Sequence, residues 1–271
     1  MDIDTVTTLV VEETRTRMAQ LIAPVPVRNK ADNLRRLCRL FQALGICKLI
    51  STADVDGFRT NLIRGAQARR YYLRKSREEN SLDDRFLGIS KVQSIFDAIV
   101  AGDVALARQI ASLSVDEWHE TWEYEDDFCY YLFVHRLIQS VHFVDTDEAA
   151  AVIARLERAL EGQRSRRLSL LKALQQRDAS EFLRAFDGFL EDCRQSNEKK
   201  RATITEYTAE AIFWPGSFVS IEGLAWLRFA AARGIEPADE FAYCPADARQ
   251  SYPLLAVPDL FDSLDQALKQ A

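Results

Sequence analysis

Proline and glycine limit most strongly what this chain can fold into. Its ten glycines and seven prolines in 271 residues fall between long stretches of helical apolar periodicity, which is where helix stops belong. The spacing predicts helices over about 3–21, 31–50, 56–77, 90–101, 103–113, 124–141, 147–161, 165–177, 179–202 and 217–233. The run Ala23-Pro24-Val25-Pro26 closes the first helix, because proline lacks the donor a helix interior needs and disfavours a helical residue before it. Residues 78–86, rich in Glu, Asn, Ser and Asp, form the best candidate linker. The chain then divides into a basic helical region over 1–84 and a second helical region over 85–271, or else runs as one continuous domain.

Two stretches resemble one another, Ala98 to Ile110 and Ala173 to Ala185. In each, a helix ends and an aspartate, Asp103 or Asp178, stands where its carboxylate can cap the next helix. Each reads as a tight helical hairpin. Hairpins that cannot bury their apolar faces alone must stack. The expected fold is therefore all-α, with stacked helical hairpins forming part bundle and part tetratricopeptide-like solenoid. Phe128 to Val134 is apolar on every side, and the pattern continues through Leu137, Ile138 and Val141, too far for a typical strand. It reads as a central helix. Farther on, Trp214-Pro215-Gly216 breaks the chain, Ser217 is placed to cap the helix over 217–233, and Gly234 to close it in a left-handed conformation. The irregular stretch from Ile235 to Pro258 is placed either to wrap the surface or to help grip a partner.

With 48% hydrophobic and 28% charged residues the chain has material for a sizeable core. No apolar run is long enough for a membrane span. The first 22 residues carry Asp2, Asp4, Glu12 and Glu13 where a secretory signal needs basic and then apolar residues. Five scattered cysteines without Cys-x-x-Cys spacing argue against a disulfide framework or a zinc knuckle. A reducing cytoplasm is the expected location.

The densest charge lies in Asp116 to Asp127. Seven carboxylates surround two tryptophans and a tyrosine there, with no lysine or arginine between them. Like charges repel and exposed aromatics forgo burial, so such a segment suits a cationic partner better than it suits stability. The candidate partner-binding residues are Glu117, Trp118, Glu120, Glu123, Glu125, Asp126 and Asp127. Part of the cluster has a structural role available, since Asp126 and Asp127 fall in the first turn of the central helix, where its dipole favours negative charge. Glu117, Glu120 and Glu123 precede that turn and have no such role. Charge also alternates along the whole chain: residues 1–77 hold 15 Lys+Arg against 7 Asp+Glu, and residues 78–163 hold 6 against 18. These blocks either pair inside the fold or make two faces of opposite potential.

The chain carries no Gly-x-Ser-x-Gly elbow, phosphate-cradling loop or dinucleotide fingerprint. His119 to Glu123 has the outline of the zinc-protease His-Glu-x-x-His helix, but Glu123 stands where the second imidazole belongs. His135 reads as a core residue on the central helix, and His142 as an uninformative helix end. No catalytic residue, metal or cofactor is expected. Arg59, Arg70, Arg74 and Arg77 share one sector of the helix over 56–77, beside Tyr71 and Tyr72. They either track phosphates or flank an apolar stripe with buried stems. The acidic balance of the chain argues against a nucleic-acid partner.

Phe96 to Asp103, then Trp122 to Phe128, then Phe218 to Leu227 resemble, in that order, the signature of immunity protein family 49 of bacterial polymorphic toxin systems. The similarity runs over roughly residues 85–245, and the basic N-terminal third matches it only loosely. The resemblance implies a mostly α-helical protein that binds the C-terminal effector domain of a toxin encoded beside it, and the absence of catalytic motifs leads to no enzymatic activity being expected. Such toxins are often nucleases with basic surfaces, which an acidic, aromatic-rimmed patch would occlude. Trp122, Asp126 and Asp127 stay open to two roles, building the fold or facing the partner. The residues by themselves also leave open a helical adaptor with an unrelated client.

Overall fold

The computed structural model describes residues 2–22, 26–91, 93–140, 147–205, 207–236 and 240–264. His142 and most of the 23–26 loop lie outside them. Among the described residues the chain is all-α, with two isolated bridges, Gly88 to Val115 and Phe241 to Cys244, in place of strands.

Local chemistry explains most helix limits. Asp2 caps α1 (Ile3–Gln20) by accepting from the Thr5 amide. Helices α2 (Ala31–Thr52) and α3 (Val55–Glu78) form a hairpin whose turn puts Ala53 in the left-handed region and lets Asp54 cap α3 through the Gly57 amide. Gly45, Gly57 and Gly65 lie inside these two helices and not between elements, contrary to the expectation for the chain's glycines. At Gly45 packing is the cause. A Cβ there would sit 2.8 Å from the Phe58 carbonyl oxygen, so α2 and α3 could not approach as closely.

Asp103 and Asp178 cap α5 (Val104–Leu113) and α9 (Ala179–Thr203) as expected, closing hairpins with α4 (Ser94–Ala101) and α8 (Arg166–Gln176). Helix α6 (Glu125–Gln139) buries every residue from Phe128 to Val134 and packs against α5 and α7 (Asp147–Ala159). His135 is buried with them, and that burial, with Arg69 and Arg136 nearby, pushes its pKa down to about 3.

The C-terminal part departs from the sequence reading in three places. Residues 207–216 form a helix, α10 (Tyr207–Gly216), although Trp214-Pro215-Gly216 was expected to break the chain there. Pro215 is the penultimate residue of α10, where the helix is already ending. The cap of α11 (Ile221–Ala232) is Ser220 and not Ser217, and Phe218, inside the helix expected over 217–233, is exposed before it. Gly234 does adopt the expected left-handed φ of +77°. Helix α10 returns to pack on α1 and α2, and α11 packs on α4. A strict solenoid unit touches only its sequence neighbours, and these two helices do not follow that rule.

Beyond the short α12 (Ala246–Arg249), residues 251–259 run without regular structure along α3 and 260–264 turn helical against it. There the arginine stripe is used up internally. Arg59 is buried and donates to the carbonyls of Ala101 and Pro253. Arg70 pairs with Asp259, and Arg74 with Asp262 at 3.0 Å. Arg77 donates to the Leu113 carbonyl at 2.9 Å, satisfying an end of α5. Phe261 is fully buried against Tyr71, with ring centroids 5.4 Å apart. This helix face is an internal fastening, each of the four arginines engaged by the chain's own carbonyls or carboxylates.

Candidate functional site

The acidic segment joins α5 to α6. Its start is held by the Gly88 to Val115 bridge, and a turn forms where the Trp122 and Glu123 amides donate to the His119 carbonyl at 2.9 and 3.2 Å. That turn sends successive side chains in different directions.

Glu123 points inward and is 6% exposed. Its Oε2 accepts from the Ser90 amide at 2.8 Å and lies against Gly88, where a Cβ would come within 3.3 Å of it. The expectation that Glu123 faces a partner is thereby corrected: its carboxylate braces the 88–90 segment. Trp122 is half-buried against the core and stacks on His119, with centroids 4.0 Å apart.

Glu125, Asp126 and Asp127 occupy the first turn of α6, where the helix dipole favours them. None of them caps the helix, since the N-cap is Tyr124 and makes no side-chain cap bond. Arg155 of α7 bonds Glu125 at 2.7 Å and lies over the rings of Phe128 and Trp118. Arg167 of α8 bonds Asp127 at 2.9 Å, stacks over Tyr130 at 4.3 Å and approaches Glu222 at 3.6 Å. Burial works against the Arg167 charge, but Glu222, Tyr130, Tyr131 and Asp127 outweigh it and hold its pKa above the ordinary value. Trp226 extends this network by donating to the Tyr130 hydroxyl at 2.7 Å. Asp116 meets Arg136 at 3.2 Å.

What remains facing solvent is narrower than the seven candidates. Glu117 and Glu120 are exposed, and no ion pair engages either among the described residues. Trp118 is 37% exposed and fixed at one end, its Nε1 donating to the Glu123 carbonyl at 3.2 Å. Tyr124, which the sequence reading left out of the candidate set, is 80% exposed. Asp126 is half-buried beside them, also without an ion pair. The result is a ridge with two aromatic rings, three carboxylates without ion pairs, of which Asp126 is half-buried, and a braced base. No group of His, Cys, Asp and Glu suited to a metal ion occurs among the described residues, nor is any described helix long and apolar enough to cross a membrane.

Among the described residues the architecture is all-α, with consecutive helices packed from α1 to α9, α10 and α11 returned onto α1, α2 and α4, and the acidic ridge between α5 and α6. The family it belongs to is Immunity protein 49, whose model matches residues 88–248, more than half of the chain. Its members are immunity proteins, typically non-enzymatic inhibitors, and membership implies a cognate toxin that the chain neutralises. The matched span takes in the ridge and the helices from α4 to α12. No curated protein and no solved structure matches the chain.

Proposed function

We propose that the chain neutralises the C-terminal effector domain of its toxin, in the cytoplasm, by laying the acidic ridge over a basic surface of that domain. Glu117, Trp118, Glu120 and Tyr124 make the contact. Asp126 adds negative field from the first turn of α6, Glu125 and Asp127 flank the contact already paired with Arg155 and Arg167, and Glu123 holds the turn in shape. The supporting observation is that Trp118 and Tyr124 stand exposed beside carboxylates left without internal cations. Exposed aromatic rings are what interfaces bury as anchors, while flanking charge speeds encounter and fixes register. A basic target surface fits a toxin that holds phosphates, hence a nuclease.

The test is protection. Cells expressing the effector domain encoded beside this chain should survive with the wild-type protein and die with a Glu117→Lys, Glu120→Lys, Tyr124→Ala variant that accumulates to the same level. Full protection by that variant would show that the ridge is not the inhibitory surface.

A further inference from the structure

A cleft of about 470 Å³ opens between α2, α3, residues 85–91 and the start of α4, a volume typical of small-molecule sites. Arg35, Arg39, Arg69, Arg85 and Lys91 line it, against one carboxylate, Asp97. That balance runs opposite to the net charge of −6 carried by the chain. Asp97 is engaged by Gln42, whose Nε2 donates to it at 2.7 Å, and Arg35 by Asp32 at 2.7 Å. Arg39, Arg85 and Lys91 have no ion pair among the described residues.

The most telling group is the deepest. Arg69 is 6% exposed, lies over the Tyr72 ring at 5.8 Å and donates from Nη1 to the Phe86 carbonyl, yet its Nε and Nη2 have no hydrogen-bond partner. The Ser90 hydroxyl on the same wall is also without one. A buried guanidinium with unmade bonds is costly, and an ordered acceptor would remove that cost. One carboxylate saturates one guanidinium fork, whereas a phosphate offers more oxygens and more charge to several donors at once.

We propose that this cleft binds a small, multiply charged phosphate compound, with Arg69 and Ser90 holding oxygens at its floor and Arg39 and Arg85 closing on it from the exposed rim. The cleft adjoins the acidic segment through Trp122 and Ser90, whose amide bonds Glu123, but uses none of the exposed ridge residues Glu117, Trp118, Glu120 and Tyr124. Its volume admits a pyrophosphate-sized group and excludes a duplex.

Isothermal titration of the full chain with sodium pyrophosphate, at fixed ionic strength, tests the assignment. Citrate and a short single-stranded DNA serve as comparison ligands. Single-site saturable binding is expected, weakened about tenfold or more by Arg39→Glu or by Arg85→Glu. Arg184→Glu, an exposed residue of α9 paired with Glu181, should leave it unchanged. All three variants are checked for native helicity. Absence of saturable heat, or equal affinity in all three, overturns the proposal. Citrate binding as tightly as pyrophosphate would reassign the site to carboxylates, and tighter DNA binding would reassign it to a nucleic-acid backbone; either overturns the assignment to a small phosphate compound.

Discussion

Helix α3 and the 116–127 segment are both crowded with charge of one sign, and the fold uses them in opposite ways. On α3 the arginines Arg59, Arg70, Arg74 and Arg77 all end on carbonyls or carboxylates of the same chain, most of them in the C-terminal run. In the acidic segment, by contrast, Glu125 and Asp127 find arginines on α7 and α8, while Glu117 and Glu120 do not. The difference teaches that dense like charge becomes structural wherever a later stretch of chain can reach it. Only what is left over is free to meet a partner.

If α3 is a fastening, its greatest dependence is on what it fastens. Phe261→Ala empties a fully buried site against Tyr71 and should lower unfolding free energy by about 4 kcal/mol in urea titration. A change near zero would mean that the C-terminal run contributes nothing to α3 and would break the comparison from that side.

The next effect concerns Asp97, which packs beside α2 and α3 at the start of the matched region. Burial lifts its carboxyl from the ordinary 3.8 to about 7, although the Gln42 bond pulls it back. The folded state therefore keeps a proton that the unfolded state has lost. This contribution is fully present below about pH 4 and disappears as pH rises through 7. Asp97→Asn should add about 4 kcal/mol at pH 8 and almost nothing at pH 4. His135, with its pKa lowered to about 3, acts in the other sense and destabilises the fold as pH falls below 6.5. A pH-independent effect of Asp97→Asn would contradict the buried, proton-holding carboxyl.

The comparison sharpens within the acidic segment itself. Glu123→Ala removes the acceptor for the Ser90 amide and should cost about 2 kcal/mol of stability, visible as a lowered melting temperature. Its neighbours Glu117 and Glu120 should tolerate substitution. Equal tolerance at all three would return Glu123 to the solvent-facing set.

Much of the fold was legible in the sequence because helix limits depend on local chemistry. Asp103, Asp178 and Gly234 act at the positions their residue types suggest. Pro215 misled because proline within the last turn of a helix looks, in sequence, the same as proline beyond it. The candidate site was legible only as a place. Glu123 is separated by 33 residues from the amide that buries it, and Arg155 and Arg167 lie 30 and 40 residues from their carboxylates. No local pattern carries such partners. Tyr124 could have been found, since it is the aromatic residue immediately before the first turn of α6.

The most direct measurement is the association rate of the chain with its cognate effector domain, taken by stopped flow at low and high salt, beside the melting temperature of each protein. For a Glu117→Lys, Glu120→Lys double variant the account predicts association slowed about tenfold or more at low salt, a flattened salt dependence and an unchanged melting temperature. A lowered melting temperature with an unchanged association rate would contradict it, because those carboxylates would then serve the fold and not the encounter.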